Sequence, residues 1–265
     1  MSSIAIETFD LTHCYGATLA VDKASFQVKA GTVFGLLGPN GAGKSTTIKM
    51  LTTLLPATSG TASIMGYDLI HDPALIRQMI GYVPQVLSAD GDLTGYENLS
   101  LSAKLYGISS SDRSKRIREV LQFMGLEEYA DRLVSQYSGG MIRKLEIAQG
   151  VLHSPAVLFL DEPTVGLDPM AKKTLWDRIQ EWRKSFKTTI LLTTHDMDEA
   201  DRLCDIVAFM YLGKIVVMDT PAKLKAALGP HATLDDVFIH YTGTSVNLSE
   251  YQDVKQRRRT ISHLD

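Results

Sequence analysis

Cysteine is almost absent from the 265-residue sequence: there are two, Cys14 and Cys204, far apart. That excludes a disulfide framework and the paired-cysteine spacing of a zinc site. Two free thiols in a reducing compartment are expected instead. Charge of one sign is lacking too. The 27 Lys and Arg residues stand against 30 Asp and Glu, a net charge of -3, so no nucleic-acid partner is expected. The start, MSSIAIETFD, lacks the basic and apolar segments of a signal peptide. The longest near-apolar stretch, residues 206–218, is broken by Gly213-Lys214 and is too short for a membrane span. A soluble, cytoplasmic chain is expected, reaching a membrane only through a partner. Internal repeats, low-complexity tracts and sustained heptads are also missing.

Hydrophobic residues make up 45% of the chain, enough for a sizeable core. Compact apolar runs at 33–37 (VFGLL), 156–160 (AVLFL) and 189–194 (TILLTT) read as buried strands. Residues 4–11, 24–28, 60–64 and 80–83 read as further strands, and 206–211 with 214–219 as a hairpin. Helical spacing of apolar residues marks 98–105, 114–124, 141–152, 169–184, 197–203, 221–228 and 234–242. Thr94 with Glu97 forms a capping-box signature, and Pro169 suits a first helical turn. Ser138-Gly139-Gly140 interrupts the helical region. Strands alternating with helices imply an α/β fold with a largely parallel sheet. The chain divides into a core at 1–87, a helical insert at 88–152, the second part of the core at 153–228 and an extension at 229–265. The last segment ends in a basic cluster, Lys255 and Arg257, Arg258 and Arg259, read as a solvated tail.

The string Gly38-Pro39-Asn40-Gly41-Ala42-Gly43-Lys44-Ser45 matches a phosphate-binding loop. Glycines let the backbone N–H groups converge on phosphate oxygens, and the helix that follows adds its positive end. Ile48, Leu51 and Leu55 are expected on the buried side of that helix. Lys44 supplies a point charge at the β and γ phosphates, and the Ser45 hydroxyl a ligand for Mg²⁺. The ligand is therefore ATP with Mg²⁺.

A second carboxylate pair fits this loop. Asp161 ends the strand run at 157–161, where an acid in a P-loop fold reaches the metal. Neighbouring side chains on extended backbone point apart, so Glu162 is free to face the attacking water as general base. Taken alone, the pair could equally cap a helix before Pro163. His195 follows the strand at 189–194, at the carboxyl end where α/β sheets bind ligands. It is assigned to the γ-phosphate or the water, while Asp196 is the better helix cap.

Together these residues resemble the ATPase subunit of an ABC transporter, over roughly residues 4–228. The resemblance rests on the Walker A loop at Gly38–Thr46, the Q-loop glutamine Gln85 in GYVPQ, and Ser138-Gly139-Gly140-Met141 as the signature. It extends to the Walker B strand with Asp161 and Glu162, the D-loop Gly166-Leu167-Asp168, and the switch residue His195. It implies a P-loop NTPase (RecA-like) core with an N-terminal antiparallel β subdomain and an inserted α-helical subdomain. Tyr15 takes the place of the family's adenine-stacking aromatic. Thr46 joins the nucleotide contacts, Gln85 senses the γ-phosphate and Mg²⁺, and Ser138, Gly139, Gly140 and Asp168 reach nucleotide across a dimer. The signature departs from the common form, with Met141 in place of glutamine. YSGGM, TVGLDP and residues 234–243 look like the drug- and antibiotic-resistance exporter branch, similar to daunorubicin-efflux ATPases. The implied partners are a second copy of the cassette and a separate multi-span membrane permease. A soluble ABC ATPase of translation or DNA repair is the competing reading. Fused cassettes or a long coiled coil would mark it, and the chain has neither.

Overall fold

The computed structural model describes residues 3–243, and the basic cluster at 255–259 lies outside them. The chain begins β1 (Ile4–Tyr15), β2 (Thr18–Lys29), β3 (Val33–Leu37), α1 (Lys44–Leu51), β4 (Ser59–Ile64), β5 (Tyr67–Asp68), α2 (Pro73–Met79) and β6 (Ile80–Val83). Helices α3 (Gly95–Leu105), α4 (Ser110–Met124) and α5 (Gly139–Val151) follow, then β7 (Val157–Asp161), α6 (Pro169–Phe186) and β8 (Thr189–Thr194). The described part ends with α7 (Met197–Leu203), β9 (Ile206–Tyr211), β10 (Lys214–Asp219), α8 (Pro221–Ala226) and α9 (Leu234–Thr242).

Two sheets form. One is antiparallel, in the order β2-β1-β4-β5; the other runs β10-β9-β3-β8-β7-β6 and is parallel apart from the β10 edge. The apolar runs explain the second sheet. In β3, β7 and β8 every residue is buried, because both faces are covered. Val33, Leu37, Leu158, Leu160, Ile190 and Leu192 share one core with α3, α4, α5 and α6. Their neighbours Phe34, Leu36, Val157, Phe159 and Leu191 face the other core, with α1 and the antiparallel sheet. Each such side chain contributes about 1.5–3 kcal/mol by leaving water.

Register then aligns the strand ends. Leu37 of β3 lies beside Thr194 of β8, and Thr193 beside Asp161 of β7. The residues that follow these strands, Gly38, Glu162 and His195, leave the sheet at one edge, with Gln85 two residues beyond β6.

The α/β architecture agrees with the sequence reading, and several details differ. Gly139 and Gly140 do not interrupt a helix; they are its first two residues, because the Ser138 hydroxyl caps α5 by accepting from Met141 N at 3.3 Å. Leu55 falls beyond α1, which ends at Leu51, yet it still packs on the second core. Helix α2 and strand β5 were not anticipated. The Thr94–Glu97 capping box and the Asp196 cap are both present.

Helix α5 approaches β6 closely. A Cβ added to Gly81 would lie 2.0 Å from the carbonyl oxygen of Gly150. Gly81→Ala is therefore expected to cost about 1–3 kcal/mol through overpacking, read as a lowered denaturation midpoint. An unchanged midpoint would show that the helix can move away freely.

Candidate active site

The loop after β3 is shaped by close backbone approach. A Cβ at Gly38 would stand 2.2 Å from Met210 O, and one at Gly43 2.4 Å from Ala20 O, with Gly43 at φ 107°. Larger residues do not fit there. Gly38 N donates to Thr194 O at 3.3 Å, and Gly213 N donates to Ala42 O at 3.0 Å, so β8 and the β9–β10 hairpin pin the loop. Gly43, the N-cap of α1, offers no side chain to the first-turn amides, which suits an anion.

Asn40, Gly41, Ala42, Gly43, Lys44, Ser45 and Thr46 line a cleft of about 410 Å³, joined by Gln85, Glu162 and Ala20. Gly38 and Pro39 act through their carbonyls, which accept from Lys44 Nζ at 2.8 and 3.1 Å. The same ammonium lies 3.3 Å from Glu162 Oε1, and both side chains are only 4% exposed. Burial draws the Lys44 pKa down, partly opposed by Glu162 and Asp161.

Glu162 sits between Lys44 and His195, whose Nδ1 is 3.0 Å from Glu162 Oε2. Burial alone would push the carboxyl pKa up. The bonds and charges of His195 and Lys44 outweigh it and hold the pKa below the usual range. Glu162 also has φ 47°, a left-handed backbone that costs about 1–3 kcal/mol and that the surroundings must enforce. They do so through Glu162 N, which donates to both the carbonyl and the hydroxyl of Thr193 at 3.1 and 3.0 Å. The kink breaks the alternation of β7 after Asp161.

Asp161 is 2% exposed and accepts from the Ser45 hydroxyl at 3.0 Å and the Thr193 hydroxyl at 2.5 Å. A hydroxyl and a carboxylate, with Gln85 lining the cleft that Ser45 also lines, form a hard-oxygen donor set. Among the described residues no group of three His, Cys, Asp or Glu could hold a metal. This donor set fits Mg²⁺, which takes one or two protein oxygens and fills its shell with water and phosphate.

Other predicted residues lie elsewhere. Ser138, Gly139 and Gly140 begin α5, and none lines the cleft. Met141 packs against the first core, which explains how an apolar residue is accommodated there. Asp168 caps α6, its Oδ1 accepting from Met170 N and Ala171 N at 2.9 Å each. A Cβ at Gly140 would lie 3.4 Å from that of Ala171, so the two helix starts adjoin. Tyr15, in the β1–β2 hairpin, is 49% exposed, stacks edge-on with His13 at 4.5 Å and does not line the cleft.

Sequence reasoning missed Ala20, Thr193 and Glu199. Only the β7–β8 register reveals that Thr193 faces Asp161. Glu199, four residues past His195, is fully buried; burial raises its carboxyl pKa, and Trp176 Nε1 donates to it at 2.9 Å.

Comparison with known proteins settles the family. Residues 21–165 match the ABC transporter family model. The chain belongs to the ABC transporter family. It is 45% identical to the daunorubicin/doxorubicin resistance ATP-binding protein DrrA of Streptomyces peucetius, over 85% of this chain and 68% of that one. It is 41% identical to the Nod factor export ATP-binding protein I of Sinorhizobium fredii (strain NBRC 101917 / NGR234), over 84% of this chain and 65% of the relative. A solved ATP-binding subunit of an ABC transporter superposes with a TM-score of 0.80 at 33% identity, covering 90% of this chain and 99% of that one. As an ABC cassette the chain binds and hydrolyses ATP. Among the described residues no helix is long and apolar enough to cross a membrane.

Proposed function

We propose that this ABC cassette is the motor of an exporter. Two identical copies work beneath a separate multi-span permease on the cytoplasmic face of the membrane. The observation that carries the reading is the contact chain Lys44–Glu162–His195 at the strand ends, beside Ser45 and Asp161. The relatives' names, one of resistance and one of export, support the direction of transport.

In this reading the loop amides from Gly38 to Thr46 bind the phosphates of ATP, and Lys44 places its charge at the β and γ groups. Tyr15 stacks on adenine. Ser45, Asp161 and Gln85 would hold Mg²⁺, which would supply neutralisation of developing phosphate charge. Glu162, kept ionised by His195 and Lys44, accepts the proton of the attacking water, and His195 orients that water or the γ-phosphate. Ser138, Gly139, Gly140 and Asp168 stand outside their own cleft, and they complete the site of a second copy. Exposed apolar side chains give the permease a place to dock: Val86 and Leu87 in the loop after β6, and Leu101 and Leu105 one turn apart on α3.

Tagged full-length chain extracted from its native membranes in detergent tests this. A multi-span membrane protein is expected to co-purify. Recovery with ribosomes or DNA instead would overturn the transport reading.

A further inference from the structure

The loop between β6 and α3 has no regular structure, so its part-buried backbone groups take partners from outside. Two side chains of α5 supply those of residues 84, 85, 88 and 89. The Arg143 guanidinium donates through Nη1 to Pro84 O and through Nη2 to Gln85 O, both at 2.7 Å. Its Nη1 also donates to Glu146 Oε2 at 3.0 Å. The other Glu146 oxygen, Oε1, accepts from Ser88 N, from the Ser88 hydroxyl at 3.3 Å and from Ala89 N at 3.4 Å. Both side chains are buried, at 2% and 3% exposure. One residue on, Asp90 N donates to Asn98 Oδ1 and Asp90 O accepts from Asn98 Nδ2, each at 3.0 Å, tying the loop to α3.

A buried ion pair is a weak source of stability, since desolvation offsets most of its attraction. A pair of apolar side chains would fill the same space. What apolar residues could not do is grip both ends of this loop. Between the gripped positions Val86 and Leu87 stay exposed, and Gln85 still lines the nucleotide cleft. Five residues before Arg143, the same helix is capped by Ser138.

We propose that Arg143 and Glu146 are positioning residues that clamp loop 84–89 to α5, so that displacement of Gln85 and displacement of Ser138 are one movement. The clamp rests on the reading of Gln85 as a nucleotide sensor, and its test separates the two. In Arg143→Met/Glu146→Gln the glutamine keeps an acceptor for Ser88 N, and no carboxylate is left buried without its partner. The variant is expected to fold, with a melting temperature within a few degrees of the parent and a KM for ATP within about threefold. Its kcat is expected to fall at least about tenfold. Gln85→Ala in that background is expected to add less than about a twofold loss, because the two act as one unit. Arg143→Lys, which keeps the charge but not the fork, should recover part of kcat.

Hydrogen exchange of the full-length chain with ATP gives a readout that does not depend on the Gln85 side chain. In the parent, ATP should slow exchange at 84–90 and at 137–142 together. In the clamp variant the first segment should respond and the second should not. If Gln85→Ala alone leaves kcat unchanged, the sensor reading fails, and exchange still decides the clamp. Unchanged kcat in the folded double variant, losses that multiply with Gln85→Ala, or joint slowing of both segments without the clamp would each overturn the proposal.

Discussion

Glu162→Gln is expected to lower ATP turnover by about 10²–10⁴-fold, the usual contribution of a general base. The barrier should rise by about 3–5 kcal/mol. Glutamine nearly matches the shape of the carboxylate and keeps one carbonyl acceptor, but it cannot take a proton from water. It also loses its charge between Lys44 and His195, which stand 3.3 and 3.0 Å from the carboxylate oxygens. Binding should survive, because the loop amides and Lys44 remain. A folded variant that binds ATP, turns it over slowly and accumulates as an ATP-bound dimer on size exclusion is the expected outcome. Turnover at the wild-type rate would remove Glu162 from the role of base and leave Asp161 or a distant group to be found.

Lys44→Ala is expected to be as severe for a different reason. Losing one preorganised donor to the transferring phosphoryl group costs about 3–4 kcal/mol, or about 10²–10³ in kcat. Ground-state binding suffers as well, since the ammonium meets phosphate before and during the reaction. The substitution also strips Glu162, 4% exposed, of its ammonium neighbour. Losing one partner of a buried pair destabilises by about 3–5 kcal/mol. A lowered melting temperature that ATP no longer raises should therefore accompany the kinetic loss. Lys44→Met, which preserves the packing of the side-chain stem but not the charge, separates the loss of packing from the loss of the ion pair. Useful turnover in either variant would contradict the Walker A assignment.

Some of this was legible in the residues themselves, for identifiable reasons. The runs at 33–37 and 189–194 become β3 and β8 without a boundary error, because strands buried on both faces are apolar throughout. The phosphate loop is legible because a single backbone shape demands its glycines. Strands β1 and β2 extend beyond the predicted segments, since repeated register shifts break the alternation that marks a half-buried strand. Helix α2 buries Ile76 alone, so it has no periodicity to detect. The glycine pair at 139–140 misled because glycine is a poor helix former, and here the cap of Ser138 prevails. Thr193, Arg143 and Glu146 could not be found at all. Their partners across the fold lie 32 positions away for Thr193 and 57 to 59 for Arg143 and Glu146, and only strand register or loop placement brings them together.

The near-contact of Gly81 with Gly150 gives α5 the mechanics of a lever. Backbone meets backbone there, bordered by the Leu158 and Val83 side chains, so the end of α5 rests on the sheet as on a fulcrum. From Gly150 to Ser138 the helix reaches about 18 Å. A tilt of about 5° at the fulcrum carries Ser138 through about 1.5 Å, the difference between a made and a broken hydrogen bond. With the pivot at the far end of the helix, a small rotation moves the Ser138 end most and the Gly150 end least.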